Sequence, residues 1–465
     1  MNAKRPNQQL MLPFTRDEVG EAHTSRRQGV EAFTPPSAPS SPVAPATASM
    51  EAICSNENMT AAIGKVIANK GAAGTDGMTV WMLEAHWKRH GAETIERLMS
   101  GTYRPGPVKR VEIPKPDGGV RKLGIPTVVD RVIQQAVLQV LLPVFEPAFS
   151  EHSYGFRPGR SAHQAVAQAK VYITQGRRWV VDIDLEKFFD RVNHDLLMAR
   201  VARRVTDKRV LKLIRAMLNA GVMENGLVSA STEGTPQGGP LSPLLSNIML
   251  DDLDKELERR GHAFVRYADD CNIYVSSETA GKRVMHSVCN YITGKLKLKV
   301  NSSKSAVDRP QERKFLGFTF SEKRATVLIA EKSIKRFKDR VRELTKRGRN
   351  APQIVAALNV FLRGWVGYYG VSEAYWSLRD LDSWIRRRLR ALSWRSWQRP
   401  RTRFAKLRRR RIAKNDAMWL IRYRVKPWAA SHTRVLNTAL PDSLWHGKLG
   451  LISLLATWKS MRTQG

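Results

Sequence analysis

Phe264-Val265-Arg266-Tyr267-Ala268-Asp269-Asp270-Cys271-Asn272-Ile273-Tyr274-Val275 sets two apolar runs on either side of an Asp-Asp pair. The pattern predicts a strand, a very tight turn and a returning strand. Two-residue hairpin turns favour Asn-Gly or Asp-Gly, because their central residues take positive φ. Here the turn carries two acids and no glycine. Adjacent carboxylates repel and neither helps the turn form, so the pair needs a reason. A divalent cation supplies one, since hard ions take carboxylate oxygens and cancel the repulsion. An exposed acidic turn accounts for the same residues, and the stretch alone does not choose between the two.

Upstream, Trp179-Val180-Val181-Asp182-Ile183-Asp184-Leu185 predicts a buried strand with two interior acids. Asp184, Asp269 and Asp270 brought together would hold a pair of divalent cations, the arrangement used for in-line phosphoryl transfer. A strand-end acid that caps the next helix explains Asp184 equally well by itself. Phe189 follows Asp184 closely, where a bulky ring would exclude a nucleotide 2′-hydroxyl; ordinary core packing is the alternative. Further out, Val108–Pro114 alternates, Lys115-Pro116-Asp117-Gly118-Gly119 turns and Val120–Pro126 alternates back, a hairpin with a basic tip. Val128–Phe145 has the pattern of a long apolar helix. Gly71–Gly77 is glycine-rich but lacks the Lys-Ser/Thr of a phosphate-binding loop, so it reads as a connector.

The chain has 465 residues, enough for two or three domains, and a net charge of +36 from 78 Lys and Arg against 42 Asp and Glu. Such an excess repels itself unless a polyanion is near, and nucleic acid is the usual one. No apolar run approaches bilayer-spanning length, so no membrane partner is expected. Cys54, Cys271 and Cys289 form no CxxC pair, which fits a reducing compartment. The first sixty residues lack an apolar signal core and carry Asp17, Glu18, Glu21 and Glu31, against an organelle transit peptide. Residues 1–58, rich in Pro, Ser and Ala, are expected to form a disordered arm. Ile334, Phe337, Val341 and Leu344, and then Leu378, Leu381, Ile385 and Leu389, recur at helical spacing. Residues 331–465 hold 32 Lys and Arg against 8 Asp and Glu, and nine of the twelve tryptophans. A domain boundary is expected near 330.

Asp184…Phe188-Phe189-Asp190 followed by Tyr267-Ala268-Asp269-Asp270 resembles the palm motifs of reverse transcriptases. Lys115–Arg121 with Gly124-Ile125-Pro126-Thr127, Tyr154–Ser161 and Gly234–Pro243 resemble motifs of the group II intron branch. So do Asn301-Ser302-Ser303-Lys304-Ser305 and Phe315-Leu316-Gly317-Phe318. Phe361–Gly370 is similar to the maturase segment of that family.

The resemblance implies an α/β right-hand polymerase: fingers and palm over 59–330, an α-helical thumb and maturase region over 331–400, and a basic α-helical region over 401–465. It implies two Mg²⁺ ions, with Mn²⁺ as a substitute, on Asp184, Asp269, Asp270 and the Leu185 carbonyl. Lys115, Arg121, Phe189, Gln237, Gly238 and Lys304 would meet the dNTP or template. The cations Arg399, Arg401, Arg403, Lys406, Arg408, Arg409, Arg410 and Arg411 are dense enough for phosphate contacts. Implied partners are the parent group II intron RNA, an RNA template with a DNA primer, target DNA and dNTPs. The expected location is the cytoplasm, in a ribonucleoprotein at the nucleoid. No cysteine follows Cys289 and only His432 and His446 lie in the basic region, so nicking by the family's His-Asn-His endonuclease is not expected. Two alternatives stand beside this expectation: an RNA-binding splicing factor with a vestigial polymerase site, and an intron-free relative used in DNA repair or defence.

Overall fold

The computed structural model describes residues 48–114, 119–224, 227–229, 233–234, 238–346, 350–423 and 425–463; at Arg121, Leu227 and Val228 only the backbone is described. Lys115, Gln237 and the first 47 residues of the expected arm lie outside them. Two compact units divide between Arg313 and Lys314.

The strands of the first unit are β1 (Val108–Pro114), β2 (Val120–Ile125), β3 (Trp179–Ile183), β4 (Val222–Glu224), β5 (Leu227–Ser229), β6 (Ala263–Tyr267), β7 (Asp270–Val275) and β8 (Ala306–Asp308). They form two sheets, ordered β2-β1-β4-β5 and β6-β7-β3-β8. In the first, β1 and β2 pair antiparallel from Lys109↔Ile125 to Pro114↔Val120, as the two alternating runs predict. β4 then joins β1 in parallel. In the second, β7 pairs antiparallel with both β6 and β3. Helices Val128–Phe145, Ser242–Arg259 and Glu278–Gly294 contribute to its core, with Val132, Ile133, Val137, Leu250, Leu253 and Ile292 buried.

One expectation needs correcting. The segment Val128–Ala148 is long and apolar enough to cross a membrane by length and composition. It is a core helix: Val128, Val132, Ile133, Ala136, Val137 and Leu141 have no exposed surface. Ordered structure also begins before Met59. Met50–Cys54 is a helix capped by Ser49, and Asn56–Ala68 is a second capped by Ser55. Each serine accepts a hydrogen bond from the first turn, meeting amides that a helix start leaves unpaired.

The second unit begins with the antiparallel pair β9 (Phe318–Phe320) and β10 (Val327–Ile329). Helices Glu331–Leu344, Ala351–Tyr369 and Tyr375–Ser396 follow. The predicted stripe is the buried face: Leu378, Leu381, Ile385 and Leu389 are at most 3% exposed. Phe337 packs at a tilt against Trp365, with ring centres 4.5 Å apart, and against Phe361 at 5.4 Å, while Arg363 faces solvent. The division falls ahead of 330 because β9 and the residues before it bond to these helices. Tyr368 Oη donates to the Leu316 carbonyl at 2.9 Å, and Ser333 Oγ to the Gly317 carbonyl at 3.0 Å. Composition changes near 330; packing changes earlier.

Candidate active site

The pair Tyr267↔Asp270 closes the β6–β7 ladder, so the turn itself is Ala268-Asp269 and Asp270 opens the returning strand. Ala268 has φ of +57°, in the left-handed region that a Cβ disfavours. Neighbours hold it there. Gly155 lies so close that a methyl group on it would collide with the Ala268 nitrogen. The Gly155 carbonyl accepts from Asn247 Nδ2 at 2.9 Å.

Arg266, two residues before the turn, is completely buried. Its Nε and Nη2 donate to the Asp254 carboxylate at 2.6 and 2.5 Å, and Nη2 also reaches Ser153 Oγ at 2.8 Å. Nη1 donates to Asn247 Oδ1 at 3.1 Å and to the Ala268 carbonyl at 2.9 Å. Burial alone would push this guanidinium's pKa down, but Asp254 beside it holds it above its ordinary value. Burial pushes the Asp254 carboxyl up and Arg266 opposes that shift, so the strained turn rests on a buried pair whose partners hold each other.

Ile183↔Cys271 is the last pair of the β3–β7 ladder. The next residues along the two strands are Asp184 and Asp270, so the register sets them across from each other beside the turn. Asp184 is fixed from behind. Its amide donates to Ser305 Oγ at 3.0 Å, and its carbonyl accepts the Asn301 amide at 2.8 Å. This pins the Asn301–Ser305 segment to the strand end and brings Lys304 Nζ to 3.7 Å from Asp184 Oδ2. Leu185 is buried and bridges Val300. Asp182 is occupied differently: Arg313 donates to its Oδ2 at 2.9 and 2.6 Å. Burial pushes the Asp182 carboxyl up, and Arg313 opposes that shift.

These residues suit a hard divalent ion, because the donors at the strand ends are carboxylate oxygens. Among the described residues, no three His, Cys, Asp or Glu side chains converge into a ready metal cage. The acids are adjacent by register without closing around a point.

Phe189 is half-buried, edge-on to Phe188 with ring centres 5.2 Å apart. Gly234 anchors the Gly234–Pro243 motif to the same segment: its amide donates to the Val192 carbonyl at 2.8 Å, and its carbonyl meets His194 Nε2 at 2.6 Å. At the other end, Gly238 has φ of +128°, and a Cβ there would lie 2.8 Å from the Gly124 carbonyl in β2. Only glycine fits that approach. The backbone of Arg121 pairs with Ile113 in the β1–β2 hairpin.

In the second unit Arg399, Arg401, Arg408, Arg409, Arg410 and Arg411 are exposed. Arg403 stacks on Trp394 at 4.4 Å, and Lys406 and Arg410 lie over Trp397 at 5.6 and 5.1 Å. Three cations of the expected phosphate-binding run thus lie over indole rings. Sequence reasoning missed the Arg266–Asp254 clamp and the Arg313–Asp182 pair. An arginine inside an otherwise apolar strand was the available signal for the first, since arginine is almost never fully buried unless paired.

Residues 113–320 match the profile described as "Reverse transcriptase (RNA-dependent DNA polymerase)". Residues 334–411 match "Group II intron, maturase-specific domain". The chain is 36% identical to Protein YkfC of Escherichia coli over 56% of its own length and 79% of that protein. It is 40% identical to the group II intron-encoded protein LtrA of Lactococcus lactis over 40% of its length, but that match spans only 31% of LtrA. A chain of the solved Cas6-RT-Cas1–Cas2 partial complex shares 25% identity over 53% of this chain and 42% of that one, with a TM-score of 0.35.

Proposed function

Because this chain belongs to the family of group II intron-encoded reverse transcriptases and maturases, we propose that it copies RNA into DNA at the Asp184, Asp269 and Asp270 carboxylates and binds its parent intron RNA to assist splicing and mobility. The observation that carries this is the β3–β7 register, which sets Asp184 opposite Asp270 next to the Ala268-Asp269 turn. The family uses a divalent metal. The finer proposal is two Mg²⁺ ions, replaceable by Mn²⁺, held by the three carboxylates with the Leu185 carbonyl; bound there, they supply Lewis acidity to the attacking hydroxyl and the leaving oxygen.

The chain's own residues do the rest. In the reaction a primer 3′-hydroxyl attacks the α-phosphate of a dNTP, forming the new phosphodiester bond and releasing pyrophosphate. Lys304, beside Asp184, offsets the negative charge that grows on the leaving group. Lys115 and Arg121 on the β1–β2 hairpin bind the triphosphate. Gln237 and Gly238 lie along the nucleotide and template, and Phe189 turns away a 2′-hydroxyl. The exposed arginines from Arg399 to Arg411 hold intron RNA, and target DNA enters when the intron inserts. The setting is a cytoplasmic ribonucleoprotein at the nucleoid. A primer-extension assay with oligo(dT) on poly(rA) tests the site: Asp269→Ala is expected to abolish extension while RNA affinity persists. Extension retained by that variant would overturn the assignment.

A further inference from the structure

We infer that a cavity in the second unit is a phosphate-binding pocket for a single-stranded segment of RNA, with Trp428 as the platform for its base. It has a volume of about 270 Å³ and is lined by Thr345, Lys346, Arg388, Leu392, Arg395 and Trp428, among others. This rests on the proposal that the chain binds RNA, and it names a site outside the arginine run 399–411.

Charge is the first observation. Three lining residues are cations, and among the described residues the lining contains no carboxylate. Lys346 and Arg395 are exposed, and among the described residues neither pairs with a carboxylate. The acids in the last turns of the neighbouring helix are already paired, Asp339 with Arg342 and Glu343 with Arg340. Arg388 is half-buried, and burial, Arg342 and Arg395 all push its guanidinium below the ordinary arginine range. Like charges gathered without a counterion repel one another, and a bound phosphate would relieve them.

Preorganisation is the second. Arg388 Nε donates to Thr345 Oγ1 at 2.6 Å and Nη2 to the Arg342 carbonyl at 3.3 Å. Those bonds fix the guanidinium plane, and among the described residues Nη1 has no hydrogen-bond partner. Thr345 Oγ1 is itself tied to the Val341 carbonyl at 2.6 Å. The arginine is therefore held in place rather than swinging in solvent.

The third observation selects a single strand over a duplex. Trp428 has Arg387 stacked over its ring at 3.9 Å and still keeps 40% of its surface exposed. A half-exposed indole beside a cationic pocket matches a nucleotide presenting a phosphate and an unpaired base together. Bases in an RNA helix are not available for such stacking.

Fluorescence anisotropy with the full chain tests this, using a labelled 20-nucleotide oligo(rU), the same strand annealed to oligo(rA), and oligo(dT) of equal length. For Lys346→Ala/Arg395→Ala, the slope of log affinity against log salt for oligo(rU) should fall by about 1.4, two phosphates at about 0.7 each. Trp428→Ala should weaken oligo(rU) by about 5- to 150-fold with its salt slope unchanged, and the duplex by much less. Variants that match the wild type in affinity and slope would overturn the pocket while leaving the polymerase assignment to the extension assay. Equal losses on oligo(dT) would make the pocket one for single strands of either kind and overturn the RNA claim. No binding of oligo(rU) by the wild-type chain would overturn both the pocket and the RNA-binding part of the proposed function.

Discussion

Arg266 controls the turn through a buried charge, which makes its removal costly in a recognisable way. Arg266→Met leaves the fully buried Asp254 without its partner, and urea unfolding should show a loss of about 3–5 kcal/mol. Arg266→Met/Asp254→Leu should recover most of that, because replacing both charges by apolar groups removes the stranded ion. A single-variant loss under about 1 kcal/mol would mean the clamp does not hold the turn. Phe189 carries a different expectation: Phe189→Ala should raise kcat/KM for ribonucleotides relative to deoxynucleotides by about tenfold or more, on the order of 1.4 kcal/mol of discrimination. An unchanged ratio would leave the ring as packing alone. Phe189 could be singled out as a candidate because its spacing from Asp184 is local. Arg266 was not, because its partners Asp254 and Ser153 are 12 and 113 positions away and only the folded sheet brings them together.

At the scale of elements, periodicity found what was long enough to show it. The β6–β7 hairpin, β3 and the helix Val128–Phe145 stand where the pattern predicts. Met50–Cys54 escaped because five residues do not display a helical period. That short helix is tied down by Asp207. Its Oδ2 accepts the Met50 amide at 2.9 Å, and its Oδ1 accepts the Arg209 amide at 2.8 Å at the start of helix Lys208–Leu218. Burial pushes the Asp207 carboxyl up, but Arg209 and those amides outweigh it and bring the pKa to about 2. A depressed folded pKa stabilises the protein above the unfolded value of about 4 and loses that effect as pH falls toward 2. Asp207→Asn should therefore lower the urea midpoint at pH 5, with the gap to wild type narrowing steadily between pH 4 and pH 2.5. A gap independent of pH would exclude a role for the charge.

Across the whole molecule, charge and chemistry are unequally shared. The carboxylates of the candidate site lie in the unit that ends at Arg313, whereas residues 331–465 carry most of the positive excess. Composition revealed that imbalance and the polyanion it calls for. It could not show that Arg403, Lys406 and Arg410 lie over tryptophans, since a charge run reads the same whether it faces solvent or a ring. The central claim is that Asp184, Asp269 and Asp270 share divalent ions. Iron-directed cleavage tests it most directly: Fe²⁺ replaces Mg²⁺, ascorbate and peroxide generate hydroxyl radicals at the bound ion, and the cut sites are mapped by mass spectrometry. Cuts clustered around residue 184 and around 268–271, competed away by excess Mg²⁺ and lost in Asp269→Ala, are expected. Cleavage elsewhere, or cuts at those positions that survive Asp269→Ala, would contradict it.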